Sequence, residues 1–146
     1  MTEEGSRNGE PRGSGADMRA VIMAGGRGTR LAPYTTIVPK PLLPLDGMPI
    51  LEILIRQLVR DGVDRITICL GHGGRIIKVY LADAGLDVEI DYSEETEPLG
   101  TMGPLTLIGD LPVDFLVLNG DLLTDISFVA LFRKHRESGS RFSIGS

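Results

Sequence analysis

Residues 19–41 read RAVIMAGGRGTRLAPYTTIVPKP, and how this stretch is parsed decides the fold. Arg19–Ala24 is a short apolar run closed by Gly25 and Gly26, the pattern of a buried strand. Downstream, strand and helix patterns alternate. Ile50–Arg60 sets apolar residues at 50, 51, 54, 55, 58 and 59, one helical face, with Pro49 near its start and Gly62 as a C-terminal cap. Arg65–Leu70 reads as a second strand, Ile76–Ala84 as a helix closed by Gly85, and Asp87–Tyr92 as a third strand. Pro104–Leu111 reads as a helix, Asp114–Asn119 as a fourth strand, and Ser127 caps a helix running to Glu137. Arg141–Ile144 opens one more strand. Strict alternation of this kind predicts an α/β fold, a mainly parallel sheet with helices on both faces.

Composition narrows the function. A chain of 146 residues, 42% apolar, suffices for one domain with its own core. No apolar run reaches the roughly 18–20 residues of a spanning helix, so no membrane span is expected. Cys69 is the one cysteine, which excludes an intrachain disulfide framework and suits a reducing, cytoplasmic setting. A net charge of −5 argues against nucleic acid as partner, but leaves room for a small phosphate ligand held by local cations. Residues 1–17, MTEEGSRNGEPRGSGAD, carry four acids and no large apolar residue after Met1. They read as a disordered tail without the apolar stretch of a signal peptide, leaving 18–146 as the folded domain.

In open α/β sheets, ligands bind outside the carboxyl ends of the strands. Three informative segments fall there: Gly25–Lys40, Ser93–Gly103 and Gly120–Asp121. Glycines 25, 26 and 28 let the backbone turn tightly and bring N–H groups to an anion, although a plain strand-to-loop turn would look the same. The loop is not a Walker A loop, having no Lys-Ser/Thr at the right spacing. Nor is it a dinucleotide fingerprint, because Leu31 stands at the third glycine position. Lys40 lies between Pro39 and Pro41, which stiffen it in extended form, so little freedom is lost on meeting a phosphate.

The segment AGGRGTRLAPYTTIVPKPLLPLDGMPIL resembles the opening signature of the sugar-phosphate nucleotidyltransferases, which join a nucleoside triphosphate to a sugar 1-phosphate and release pyrophosphate. EETEPLGTMGPL (Glu94–Leu105) and LVLNGDLL (Leu116–Leu123) continue the resemblance in the same order, so that it covers Met18 to Ser146. The middle segment most resembles the mannose-1-phosphate guanylyltransferase branch, with Met102 where an alanine is usual. The resemblance implies a Rossmann-like three-layer fold. It also implies that the loop residues Ala24, Gly25, Gly26, Gly28 and Thr29 bind nucleotide, with Arg30 on the β- and γ-phosphates and Lys40 on the α-phosphate. Asp121 would be a Mg²⁺ ligand. Glu95 and Gly100 would face the base, Glu95 with two acceptors for guanine's two adjacent donors, which favours GTP. Glu94 and Glu97 compete with Glu95 for that place.

The family's catalytic domain continues beyond the point matched by Ser146, into sugar contacts and a second metal carboxylate. This portion alone is therefore expected not to turn over, and its uncovered sheet edge invites self-association as a homo-oligomer. A non-catalytic nucleotide-binding remnant is the alternative reading; a dinucleotide oxidoreductase is disfavoured by Leu31, Arg30 and Lys40. Among other residues, His72 reads as a loop histidine, His135 as part of a solvated helix face and Cys69 as core. Asp110, Asp114 and Asp125 read as turn residues, Asp125 being close to Asp121.

Overall fold

The computed structural model describes residues 17–26, 38–71 and 73–146. Gly28, Thr29, Arg30, Leu31 and His72, and all but the last residue of the expected tail, lie outside the described residues. The strands are β1 (Arg19–Ala24), β2 (Pro44–Leu45), β3 (Met48–Pro49), β4 (Arg65–Leu70), β5 (Glu89–Glu94) and β6 (Leu116–Asn119). The helices are α1 (Ile50–Arg60), α2 (Gly74–Asp83) and α3 (Phe128–Ser138). β5, β4, β1 and β6 form one four-stranded sheet in that order, every pairing parallel. The chain runs from β1 outward to β4 and β5, then crosses to β6 on the other side of β1. The order thus reverses between β1 and β6, and their carboxyl ends form the crevice where such sheets take ligands. β2 and β3 are a two-residue hairpin turned at Asp46 and Gly47, both with positive φ (50° and 82°), as an Asp-Gly turn of this kind requires.

Alternation along the strands sorts the sheet into two faces. Ala20, Ile22 and Ala24, Ile66, Ile68 and Leu70, and Leu116 and Leu118 share one core with the inner faces of all three helices. α1 contributes Leu51, Leu54, Ile55 and Leu58, α2 Ile77 and Leu81, and α3 Phe128 and Phe132. The opposite face carries Arg19, Val21, Thr67 and Cys69. It is met by the connection that passes through a 3-10 turn, Gly103–Leu107, to Asp110. Arg19, only 5% exposed, donates there to Thr67 Oγ1 (2.7 Å) and to the Asp110 carbonyl (2.8 Å) and carboxylate (3.1 Å).

Several elements differ from the sequence reading. α2 starts at Gly74, two residues early, because Gly73 takes the left-handed conformation (φ 77°) as its N-cap. Gly74 has no Cβ to strike Leu70, whose own Cβ would lie 2.9 Å away. β5 starts two residues late, at Glu89, opposite Arg65, whose Nε bonds Asp91 at 2.7 Å. The expected strand at Arg141–Ile144 does not form. Gly139 (φ 64°) ends α3, and the segment beyond finds no ladder partner among the described residues, with Phe142 and Ile144 left exposed. The expected helix at Pro104–Leu111 is the 3-10 turn alone.

Candidate functional site

The residues that follow β5, β4, β1 and β6 are Glu95, Gly71, Gly25 and Gly120; the register continues across the first three, and Gly120 stands opposite Ala24, one residue back. They form a row across the carboxyl edge of the sheet, three glycines and one glutamate. The glutamate uses the space that the glycines leave. Glu95 N–H donates to the Leu70 carbonyl (3.1 Å), extending the ladder by one bond. Its carboxylate then turns back along the row. A Cβ at Gly25 would stand 2.9 Å from Glu95 Oε1, and one at Gly71 would stand 3.1 Å from the same atom and 2.8 Å from the Gly25 carbonyl oxygen. Gly71 is closed in by backbone and has no room for a side chain, whereas one at Gly25 would require the Glu95 carboxylate to move. Glu95 Oε2 accepts the N–H of Leu99 (3.2 Å), folding the loop over toward Gly100, whose φ of 79° only glycine adopts readily. Glu94 points the other way and pairs with Lys78 on α2.

The other half of the row positions two charges. Gly120 N–H donates to the Met23 carbonyl (2.9 Å), and a Cβ there would meet Ala24 Cβ and Pro41 Cγ at 3.3 Å each. That close approach seats Asp121 beside the Pro39–Pro41 segment. Lys40 opens a 3-10 turn, Lys40–Leu42, closed by Leu42 N–H to Pro39 O (2.9 Å). Its Nζ lies 2.6 Å from Asp121 Oδ2, with the two side chains 41% and 32% exposed. A half-exposed pair of this kind gains little stability by itself. It therefore leaves a cation and a carboxylate ready for exchange at the mouth of the β1/β6 crevice.

Of the residues singled out in the sequence, the structure brings Lys40 and Asp121 into contact, and Glu95 onto the turn at Gly25. Ala24 is buried at the end of β1, and Gly26 and Gly100 border open space. Gly71 was not singled out; its signal was a glycine directly after the second strand, the place Gly25 holds after the first. Two of the aspartates read as turn residues lie on a turn and a bend and also pair with cations. Asp110 bonds Arg19 and Arg65, and the Arg19 guanidinium holds its carboxyl below the usual range. Asp114 pairs with His135 and Arg136 on α3. Burial, and then the nearby charge of Glu95, push the Cys69 thiol up, the opposite of nucleophile activation. Among the described residues no group of three or more His, Cys, Asp or Glu side chains could hold a metal ion. A single carboxylate such as Asp121 fits Mg²⁺ only where phosphate and water oxygens complete the shell, which is how that ion binds with nucleotides.

The nucleotidyl transferase family model matches residues 19–145. The probable mannose-1-phosphate guanylyltransferase 1 of Oryza sativa subsp. japonica is 37% identical over 134 residues, covering 87% of this chain and 37% of that protein. The mannose-1-phosphate guanylyltransferase catalytic subunit beta of Danio rerio is 36% identical over 133 residues, with the same coverage. The chain thus spans 37% of the length of these relatives. Among solved structures, HddC from Yersinia pseudotuberculosis complexed with GMP-PN superposes with a TM-score of 0.66 at 33% identity, over 83% of this chain and 53% of that one. A UDP-glucose pyrophosphorylase complexed with UDP-glucose superposes with a TM-score of 0.68 over 85% of this chain and 55% of that one, and at 20% identity shows the shared fold alone. With the family match running from β1 past α3, the chain belongs to the nucleotidyl transferase family, with mannose-1-phosphate guanylyltransferases among its relatives.

Proposed function

We propose that this chain carries the nucleotide-binding part of a site that transfers a nucleotidyl group from GTP to a sugar 1-phosphate of the mannose 1-phosphate kind. The observation that carries the reading is the contact between Lys40 and Asp121 at the switch point of the sheet. In the reaction a phosphate oxygen of the sugar attacks the α-phosphorus, the bond from that phosphorus to the bridging oxygen breaks, and pyrophosphate leaves. The nucleophile is already an anion, so no general base, serine or cysteine is needed. The demand is for in-line placement and neutralised charge. Lys40 exchanges Asp121 for the α-phosphate, where charge builds. Asp121 would be the residue to hold Mg²⁺, which when bound would supply further charge neutralisation. Arg30, Gly28 and Thr29 belong to the triphosphate end by family resemblance, Arg30 meeting the leaving pyrophosphate. Glu95 reads the base: two carboxylate oxygens match the ring N–H and exocyclic amine of guanine, whereas uracil and thymine set carbonyl oxygens against them. The guanylyltransferase relatives and the GMP-PN bound to HddC support the choice of guanine. The nucleotide sugar formed is an activated donor for glycan synthesis.

The test is calorimetric titration of the chain with GTP, UTP and dTTP in the presence of Mg²⁺, with pyrophosphate release from GTP and mannose 1-phosphate assayed in a chain extended through the rest of the family's catalytic domain. GTP binding that outcompetes the pyrimidine nucleotides supports the reading; no binding of any nucleotide overturns it.

A further inference from the structure

We infer that Gly73 is a positioning residue for Lys40, the seat against which the lysine-bearing loop is set. Lys40 is flanked by two prolines, and each ring rests on a glycine at the carboxyl edge of the sheet. Pro41 Cγ lies 3.3 Å from where a Cβ would stand on Gly120, after β6. Pro39 Cγ lies only 2.7 Å from where a Cβ would stand on Gly73, after β4, and the next nearest atoms are also of the Pro39 ring, Cβ at 3.5 Å and Cδ at 3.8 Å. β4 and β6 flank β1. The loop therefore spans the end of β1 like a beam on two supports, with Lys40 at midspan.

The Gly120 support has tolerance, because contacts at 3.3 Å yield by a few tenths of an ångström. The Gly73 support has none. A carbon there would need Pro39 to retreat by about 1 Å to reach ordinary contact distance. The turn beneath cannot retreat instead. Gly74 N–H bonds the Gly71 carbonyl (3.2 Å), Ile76 N–H bonds the Gly73 carbonyl (3.1 Å), and Gly74 is packed on Leu70. Nor can the proline flex as a long side chain would, since its ring is closed onto the backbone. The displacement passes to Lys40, and misplacement of a catalytic group by 1 Å can cost about 10²-fold in rate. The functional consequence rests on Lys40 as the α-phosphate ligand; the positional one does not.

The test separates the two. Reductive ¹³C-methylation of the chain labels Lys40, Lys78 and Lys134, the three lysines present, and keeps their charge. Loss of one dimethyl resonance in Lys40→Arg assigns Lys40, and its movement in Asp121→Asn calibrates loss of the 2.6 Å pair. Gly73→Ala should move the Lys40 resonance as Asp121→Asn does while Lys78 and Lys134 stay in place, their constancy showing that the chain is folded. Gly85→Ala carries the same left-handed backbone strain (φ 64°) with nothing within 4 Å, and should leave Lys40 unmoved. Pro39→Ala in the Gly73→Ala background removes Cγ and Cδ and should return the resonance toward its original place. In a chain extended through the rest of the family's catalytic domain, Gly73→Ala should lower kcat in a pyrophosphate-release assay by about 10-fold or more, further than it weakens GTP binding. A Lys40 resonance unmoved by Gly73→Ala, or moved equally by Gly85→Ala, overturns the inference. Absence of GTP binding by the unaltered chain overturns only the proposed function.

Discussion

Glu95 ends the row at the carboxyl edge on the β5 side and Lys40 stands beside Asp121 over the end of β1, and their chemistry separates by assay. In a chain extended to the full catalytic domain, Lys40→Ala would remove the proposed preorganised charge from the α-phosphate, so turnover should fall about 10²–10³-fold, more than GTP affinity does. Pyrophosphate-release kinetics check it, and near-normal kcat would dismiss Lys40 from the chemistry. Glu95→Gln keeps shape and the Leu99 contact, but turns one acceptor into a donor that faces guanine's donors. Preference for GTP over UTP and dTTP should fall about ten- to a hundredfold, as for one mismatched buried polar group. Competition binding measures the ratio. Three neighbouring glutamates were indistinguishable by residue type. Register separates two of them, with Glu94 bonded to Lys78 and Glu95 turned over Gly25. A one-residue step reverses the direction of a side chain on a strand, and no local pattern reveals it when both residues are glutamate.

At the scale of elements, two polar contacts hold the helix layer together. Asp61, the C-cap of α1, accepts the Phe128 N–H (2.6 Å) and the Val129 N–H (3.4 Å) at the start of α3, beside Ser127 Oγ, which accepts from Ala130. An anion at the positive end of a helix and two satisfied donors predict a loss of about 1–2 kcal/mol in Asp61→Ala, read by urea unfolding. Glu52 of α1 accepts from Tyr80 of α2 and from Arg56 Nε (2.8 Å), and these bonds, Tyr80's foremost, hold its carboxyl below the usual range. A carboxyl lowered by folding adds stability at pH above its unfolded value, about 4.3, and loses it as the pH falls through the lower folded value. Unfolding free energy should therefore drop on the acid side, and Glu52→Gln should start lower at neutral pH with a flatter acid limb. The apolar stripe of α1 and the apolar runs of β1 and β4 were legible because helix and strand periods are written in which residues are large and apolar. The caps from Asp61 and the early start of α2 were not, since both depend on a partner far along the chain or on a missing Cβ. The strand expected at Arg141–Ile144 had a strand's composition but no neighbour to pair with among the described residues.

The whole molecule acts as a bracket. The site takes its parts from the ends of all four sheet strands, and the same strands carry the core beneath α1, α2 and α3. No subset of the site can form while the sheet is apart, so the nucleotide must bind the folded chain and not the unfolded one. At a GTP concentration 100 times the dissociation constant, linkage then adds about 2.7 kcal/mol to stability. For a chain near 150 residues each kcal/mol moves Tm by roughly 2–4 °C, so the midpoint should rise by about 5–10 °C. Lys40→Ala should lose part of the rise and Gly73→Ala a similar part, because both withdraw the same charge from the phosphate. Gly85→Ala, with its open surroundings, should lower the starting midpoint yet keep the full ligand-induced rise. Differential scanning fluorimetry at fixed protein and Mg²⁺ concentration reads all four chains side by side. An equal rise with UTP would show that Glu95 does not select the base, and no rise with any nucleotide would show that the crevice between β1 and β6 is not a nucleotide site.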